Sequence, residues 1–453
     1  MLRSRRDFVK CGCATLGAGA FFARLSLVDA LAQHHHHVRL AAATDYKALV
    51  CVFLNGGNDA WNTIVNLDEY AAYAATRSTI ALAQGSLLPI QPPSEGRPFG
   101  LHPNLAGLHA LWGQQRLAVV CNVGPLVENI TRSQYLNRPD LRPPNLFSHS
   151  DQVYQWHTAT SAPILQTGWA GRTGDHTLGL NEGTLFPMIV SIAGSTVFGT
   201  GNVARVFETT PSGSVALAGF SGSANSQARY NGMRQLLGLN RQSVFVRVAG
   251  DTITKALEND QLLTSALGGA PPLVTMFPVS SLGDQLRMVA RLISVRNALG
   301  VKRQIFFVSL GGFDTHSAQV AAQGNLLADL GQSLAAFHAA TVELGVDSQV
   351  TTFTGSDFGR TYRSNGTGTD HGWGSCQFVL GGTVRGGNFY GRWPNLALAG
   401  PDDSGSIGRF IPTTAVEEYG ATLATWYGLP STDLAAVFPN VGRFDTPNLG
   451  FLA

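Results

Sequence analysis

Two phrases in this chain place a carboxylate at the same point after an apolar run and a glycine pair. VCVFLNGGND, residues 50–59, ends on Asn58 and Asp59, and FFVSLGGFDTH, residues 306–316, carries Asp314 and His316. A third acid, Asp357, follows the run SQVTTFT (348–354) and Ser356, and the loop GTGTDHGWG (366–374) sets Asp370 and His371 between glycines. Glycine pairs turn sharply without a Cβ clash, so acids that follow them can fold back over the end of a sheet. Carboxylates gathered at one edge repel unless a positive charge sits among them. A divalent cation, liganded by carboxylate oxygen and imidazole nitrogen, meets that need. Asp314, His316 and His371 make a nitrogen-rich set with Asp370 alongside, and Asp59 with Asp357 makes an oxygen-rich one. Two ions about 4 Å apart clamp the attacking and leaving oxygens of an in-line displacement. Each acid also has a plainer reading as a turn or helix N-cap residue, and His316 as the cap of the helix after it.

The elements that must position these residues follow from the apolar pattern. Runs at 48–54, 117–123, 187–192, 304–310, 348–354 and 376–381 predict strands, several of them apolar on both faces. That suits a parallel sheet covered by helices on both sides. Leu282, Leu286, Val289 and Ile293, then Leu327, Leu330, Leu334, Phe337, Thr341 and Leu344, repeat at helical spacing. Residues 104–115 and 413–428 predict two further helices. Strands alternating with helices give an α/β fold, a three-layer α/β/α sandwich with right-handed crossovers. In such sheets ligands bind outside the carboxyl ends of the strands, which is where the acids fall. Residues 47–453 read as one domain, with a loop-rich insertion near 194–226.

The motifs in order bring a resemblance. LNGGNDAWNTIV, SHSDQVYQWHT, LGGFDTH, GSDFGRTYRSNGTGTDHGWG, GGNFYGRWP and GRFIPTTAVEEYGATLATWYG together resemble the DUF1501 family of exported bacterial proteins. That family looks like a distant branch of the alkaline phosphatase/sulfatase superfamily. The resemblance implies an alkaline-phosphatase-like sandwich whose site holds metal beside a hydroxyl or thiol nucleophile. By it, Asp59 resembles the first-strand metal acid, and Asp314 with His316 resembles a D-x-x-x-H pair spelled here D-x-H. Asp357 matches the acid of an S-D-H-G motif in which Phe358 replaces the histidine, and His371 resembles the last metal histidine. With no histidine at 358, a single ion fits better than paired zinc, as does a hard ion such as magnesium or calcium at the second position. Ser148, before His149, is the hydroxyl placed for the nucleophile at a helix start, or else only a helix cap. Arg360, with Arg172 and Arg363, is placed to neutralise a phosphate or sulfate. The activity implied is hydrolysis of phosphate or sulfate esters, on a small-molecule or polymer substrate. The alternative is a non-catalytic exported protein that keeps the fold for binding or surface assembly.

Composition sets the remaining bounds. The 453 residues are 44% hydrophobic but only 13% charged, and the net charge of +2 gives no reason to expect nucleic acid or an anionic membrane as partner. Ser4-Arg5-Arg6-Asp7-Phe8-Val9-Lys10 resembles a twin-arginine export signal, and Ala30-Leu31-Ala32 an A-x-A cleavage site. Residues 1–32 therefore read as a signal peptide handled by the twin-arginine translocase. Residues 33–46, with His34 to His37, read as a flexible mature start. The mature protein is expected in the periplasm or secreted, with no membrane span, since no other run approaches the roughly 20 apolar residues needed. Cys51, Cys121 and Cys376 read as buried core residues.

Overall fold

The structure, a computed structural model, describes residues 42–161, 165–184, 186–213, 223–239 and 243–453. The signal peptide, the histidine run and part of the 194–226 excursion lie outside these residues. The strands are β1 (Lys47–Leu54), β2 (Ile64–Asn66), β3 (Leu88–Ile90), β4 (Phe99–Leu101), β5 (Leu117–Gly124), β6 (Ile189–Ser191), β7 (Val206–Glu208), β8 (Arg303–Leu310), β9 (Val350–Ser356), β10 (Ser375–Gly381), β11 (Phe389–Tyr390) and β12 (Thr414–Ala415). The helices of eight residues or more are α1 (Tyr70–Arg77), α2 (Ala106–Gly113), α3 (His149–Thr158), α4 (Trp169–Thr177), α5 (Ala224–Leu237), α6 (Val244–Gly268), α7 (Ser281–Ser294), α8 (Gln319–Glu343) and α9 (Val416–Tyr427).

One large sheet runs β11-β5-β10-β9-β1-β8-β6-β7, with β12 also on β5. All its pairings are parallel except those of β10, which lies antiparallel between β9 and β5. β2, β4 and β3 form a separate antiparallel sheet. The strand runs read from the sequence all appear, and β7 adds a strand at the sheet's far edge from within the 194–226 excursion.

β1 buries both of its faces, which divides its side chains between two cores. Val50, Val52 and Leu54 pack with Phe306, Val308 and Leu310 of β8 under α2, α7 and α8. Leu49, Cys51 and Phe53 pack on the other side with Phe307, Phe353, Trp156, Trp169 and the apolar residues of α9. Leu286, Val289 and Ile293 of α7 and Leu327, Leu330 and Leu334 of α8 are fully buried along the stripes that their spacing predicts. Each such side chain contributes roughly 1.5–3 kcal/mol of burial free energy. Cys51 and Cys121 fall in opposite cores, and all three described cysteines are free and buried. The result is a three-layer α/β/α sandwich whose central strands β9, β1 and β8 end side by side.

Candidate metal centre

The ends of these three strands are locked together before any side chain reaches the cleft. Asn55 N donates to Leu310 O (2.9 Å) and Phe313 N donates to Asn55 O (3.1 Å), so the loops after β1 and β8 lie against each other. Gly56 has φ +112°, and a Cβ there would stand 2.4 Å from the Asp314 amide nitrogen. Only glycine permits that approach. Ser356 Oγ donates to Leu54 O (2.7 Å) and accepts from Asn58 N (2.9 Å), which joins β9 to the same unit.

Asp314 emerges beyond the strand ends, among the three histidines, with its side chain 42% exposed. Its Oδ1 lies 2.6 Å from Arg360 Nη1, 3.0 Å from His316 Nε2 and 3.2 Å from His371 Nε2. Its Oδ2 lies 3.4 Å from His149 Nε2. The two nitrogens His316 Nε2 and His371 Nε2 are themselves 3.0 Å apart. Each imidazole is held from behind through its other nitrogen. His149 Nδ1 is 2.7 Å from Asp357 Oδ2, His371 Nδ1 is 2.8 Å from Phe147 O, and His316 Nδ1 is 3.3 Å from Asp370 Oδ1. Carbonyl and ionised carboxylate oxygens only accept, so a proton on Nδ1 satisfies each backing contact, and in that tautomer the Nε2 lone pairs face Asp314. Backing of a ligand histidine by a carboxylate or carbonyl is the usual outer arrangement of metal sites.

The spacing fits a small divalent cation. Ligands about 2.0–2.1 Å from a tetrahedral ion stand about 3.3 Å from one another. One ligand atom each from His149, Asp314 and His371 lie within 4.8 Å of one another, and His316 adjoins this set from the Asp314–His371 side. The donors are two or three imidazole nitrogens and one carboxylate, a set suited to zinc more than to calcium or magnesium.

Local backbone and charge support the arrangement. Asn145 and Phe147 have φ of 52° and 72°, the left-handed region that a bulky residue rarely enters. That conformation precedes α3 and presents the Phe147 carbonyl to His371, a strained residue at a ligand-holding position. Burial alone would raise the Asp314 carboxyl, but the hydrogen bond and charge of Arg360 outweigh it and hold Asp314 below its usual range. Burial pushes the Asp357 carboxyl up, against the hydrogen bonds from His149 and the Gly56 amide. Burial also lowers His371, which keeps its imidazole in the neutral, ligand-competent form.

Not every residue singled out in the sequence reaches this cluster as a donor. Asp314, His316 and His371 meet there. Asp370 backs His316 and also accepts from Asn365 Nδ2 (3.0 Å). Asp357 is almost wholly buried behind His149, so it is a second layer and not a cleft-facing acid. Asp59 is engaged elsewhere. Its carboxylate pairs with Arg77, accepts from Gln319 and caps the short helix Ala60–Thr63 through the Trp61 amide (3.0 Å), with both partners of the ion pair fully buried. It acts as a structural hub: Arg77 donates on to Tyr362 O (3.0 Å), and Gln319 accepts from Thr369 Oγ1 (2.6 Å). Arg360 is not free for a substrate anion. It is fully buried and spends its donors on Asp314, Gly56 O and Thr369. Arg172 likewise serves the backbone of Val437, Thr158 and Thr167.

Ser148 precedes α3 but does not cap it with its side chain. Its hydroxyl donates to Asp151 Oδ2 (2.5 Å) and lies 3.2 Å from Ser150 Oγ. Phe358 packs its ring on His149 and His371 with centroids 4.8 and 4.6 Å away, an apolar wall where a donor would otherwise stand. His149 is the donor that spacing alone does not reveal. It sits one residue past Ser148, in the first turn of a helix, where a histidine reads as ordinary surface. The Phe147 carbonyl leaves no trace in residue type at all.

Residues 270–417 match the family model described as "Protein of unknown function (DUF1501)". That span holds Asp314, His316, Asp357, Arg360, Asp370 and His371, while His149 lies outside it. No protein with a curated description matches the chain. Among solved structures, the chain is similar to the soluble domain of lipooligosaccharide phosphoethanolamine transferase A from Neisseria meningitidis, at 8% identity, 92% and 96% coverage of the two chains and a TM-score of 0.36. It is similar to the lipoteichoic acid synthase LtaP from Listeria monocytogenes at 8% identity, 85% and 73% coverage and a TM-score of 0.34. For the phosphonate monoester hydrolase of Agrobacterium radiobacter the values are 10%, 85% and 74%, and 0.30.

Proposed function

We propose that this chain is an exported, metal-dependent hydrolase of phosphate or sulfate esters, with one divalent cation held by His149, Asp314 and His371. The observation that carries the reading is the convergence of imidazole Nε2 lone pairs on the Asp314 carboxylate, each ring backed through Nδ1 by an oxygen acceptor. The motifs shared with the DUF1501 family, and through it the sulfatase-like superfamily, support the substrate class.

When bound, a divalent cation supplies Lewis-acid polarisation of a phosphoryl or sulfuryl oxygen. The chain's own residues do the rest. Asp357, Phe147 O and Asp370 orient the imidazoles. Arg360 holds Asp314 Oδ1, leaving Oδ2 toward His149, and the carboxylate would be one of the groups to hold the ion. Ser148 is the hydroxyl to test as nucleophile: it adjoins His149, and Asp151 accepts its proton's hydrogen bond. His316, half exposed beside the donors, is placed to exchange a proton with the leaving group. Asp59 and Arg360 are positioning residues in this reading. Export by the twin-arginine route is part of the same proposal and rests on Ser4–Lys10.

A second reading has its own support. Asp314 already has a buried guanidinium as counter-charge, so the cluster can persist without an ion, as a non-catalytic exported binding protein would need.

Exported protein, purified and analysed for metals, distinguishes the two. The hydrolase reading expects about one equivalent of a divalent ion per chain. It also expects turnover on a panel of phosphate and sulfate esters that is lost on chelation and in Asp314→Ala. Ser148→Ala should keep the metal and lose turnover. Metal-free protein with no hydrolysis across the panel leaves the binding reading standing.

A further inference from the structure

Phosphate and sulfate esters are anions, yet Arg360 and Arg172 are already committed to the protein. Arg360 is fully buried and bonded to Asp314, Gly56 O and Thr369, and Arg172 serves main-chain carbonyls. Arg409, in the motif GRFIPTT, differs from both and is only half-buried. Its Nε donates to His371 O (2.8 Å), and its guanidinium carbon stands 4.3 Å from the centroid of the Phe147 ring. Phe147 O is itself the acceptor behind His371 Nδ1. One guanidinium therefore rests on both residues of that joint, on the backbone of one and the ring of the other. The cation–π contact and the charge-assisted hydrogen bond fix the side chain without using its outer nitrogens.

Those outer nitrogens are open. Among the described residues, no hydrogen bond or ion pair engages Arg409 Nη1 or Nη2. Asp403 lies at the Arg409 main chain, but its buried carboxylate accepts from the amides of Ala399, Gly405, Gly408 and Arg409. Asp402 is paired with Arg392. An arginine held in place with its Nη fork unpaired can take two oxygens of an anion. Because the side chain is fixed before a ligand arrives, little freedom is lost on binding.

The position of Arg409 says which anion. It bonds the main chain of His371, whereas the ring turns its far nitrogen, Nε2, toward Asp314. The length of the imidazole lies between the guanidinium and the donor set, which puts Arg409 beside the reacting group and not on it. We propose that Arg409 is a specificity-determining residue, which pairs with a second anionic group carried by the substrate next to the scissile ester. The substrate class narrows to esters on an acidic small molecule or an acidic polymer. The inference rests on the proposed metal centre, where the ester itself is held.

Non-hydrolysable phosphonates test it. The zinc-loaded full chain is titrated calorimetrically with propylphosphonate and with carboxyalkylphosphonates of two to four methylenes. One of the carboxylated ligands should bind about tenfold tighter than propylphosphonate, with the gain reduced by salt. Arg409→Gln should remove that gain and leave propylphosphonate binding and zinc affinity as in the parent. Arg409→Lys keeps the charge but not the fork, and should retain part of the gain. A gain that survives Arg409→Gln overturns the proposal. So does loss of zinc affinity in both variants, since the guanidinium then only supports His371. A parent that binds zinc and propylphosphonate but gains nothing from the carboxylate overturns the inference and leaves the metal centre standing. A parent that binds neither zinc nor propylphosphonate removes the proposed function and the inference together.

Discussion

His149 Nδ1 and Asp357 Oδ2 lie 2.7 Å apart and tie the first turn of α3 to the end of β9. The contact fixes which imidazole nitrogen faces Asp314. Replacing Asp357 by asparagine keeps the shape but lets the ring adopt the other tautomer. Zinc affinity, measured by competition with a chromogenic chelator, should fall 10–100-fold, roughly the loss expected for a second-layer partner. An unchanged affinity would mean that His149 does not bind the ion.

Asp59 should separate stability from metal binding. Asp59→Ala leaves the Arg77 guanidinium buried without its carboxylate, a loss of about 3–5 kcal/mol in urea unfolding. The variant that remains folded in the cold should still bind zinc, because Asp59 is not among the donors. A variant with parental stability and no metal would reverse that assignment.

Metal itself should raise the melting temperature. Free ion at about 100 times its dissociation constant adds about 2.7 kcal/mol, a rise of about 3 °C for a chain of this size. Chelator should remove the rise, and His149→Ala or His371→Ala should abolish it. Melting curves that ignore both ion and chelator count against the centre.

A pH effect is expected far from the cleft. Glu417 in α9 is buried, and desolvation pushes its carboxyl up to about 8. The unfolded chain releases this proton near the ordinary value of 4.5, whereas the folded chain keeps it until about 8. The folded state therefore binds more protons across that window, so its stability is full below about 4.5 and declines as pH rises toward about 8. Glu417→Gln removes the dependence. The difference between variant and parent should grow in the variant's favour by up to about 1.4 kcal/mol per pH unit across the window and be flat outside it. A difference independent of pH would show that Glu417 is ionised in the folded protein.

Much of this architecture is legible in residue order. The two-faced apolar runs mark the central parallel strands, and the leucine stripes mark α7 and α8. Asp314, His316 and His371 are marked by glycine-flanked loops after strands. The twin phrases GGND and GGFD nevertheless lead to opposite ends. Asp59 is followed by a helical turn that it caps and by Arg77, a buried partner that no local spacing announces. Asp314 is followed by a tight turn, with Thr315 N on Phe313 O (2.8 Å), that leaves the carboxylate open. Arg360 reads as an anion binder by type, but burial commits its donors to the protein. His149 enters only through the left-handed backbone at Phe147, a feature of conformation and not of composition.

The close approach of Gly56 to the Asp314 backbone has a consequence for how this cleft meets its ligands. Loops that touch main chain to main chain cannot swing apart like jaws, so the side chains around Asp314 meet any ligand already in place. Selectivity must then be decided at the mouth, by side chains such as Arg409 over Phe147, and new preferences would be acquired there without disturbing the floor.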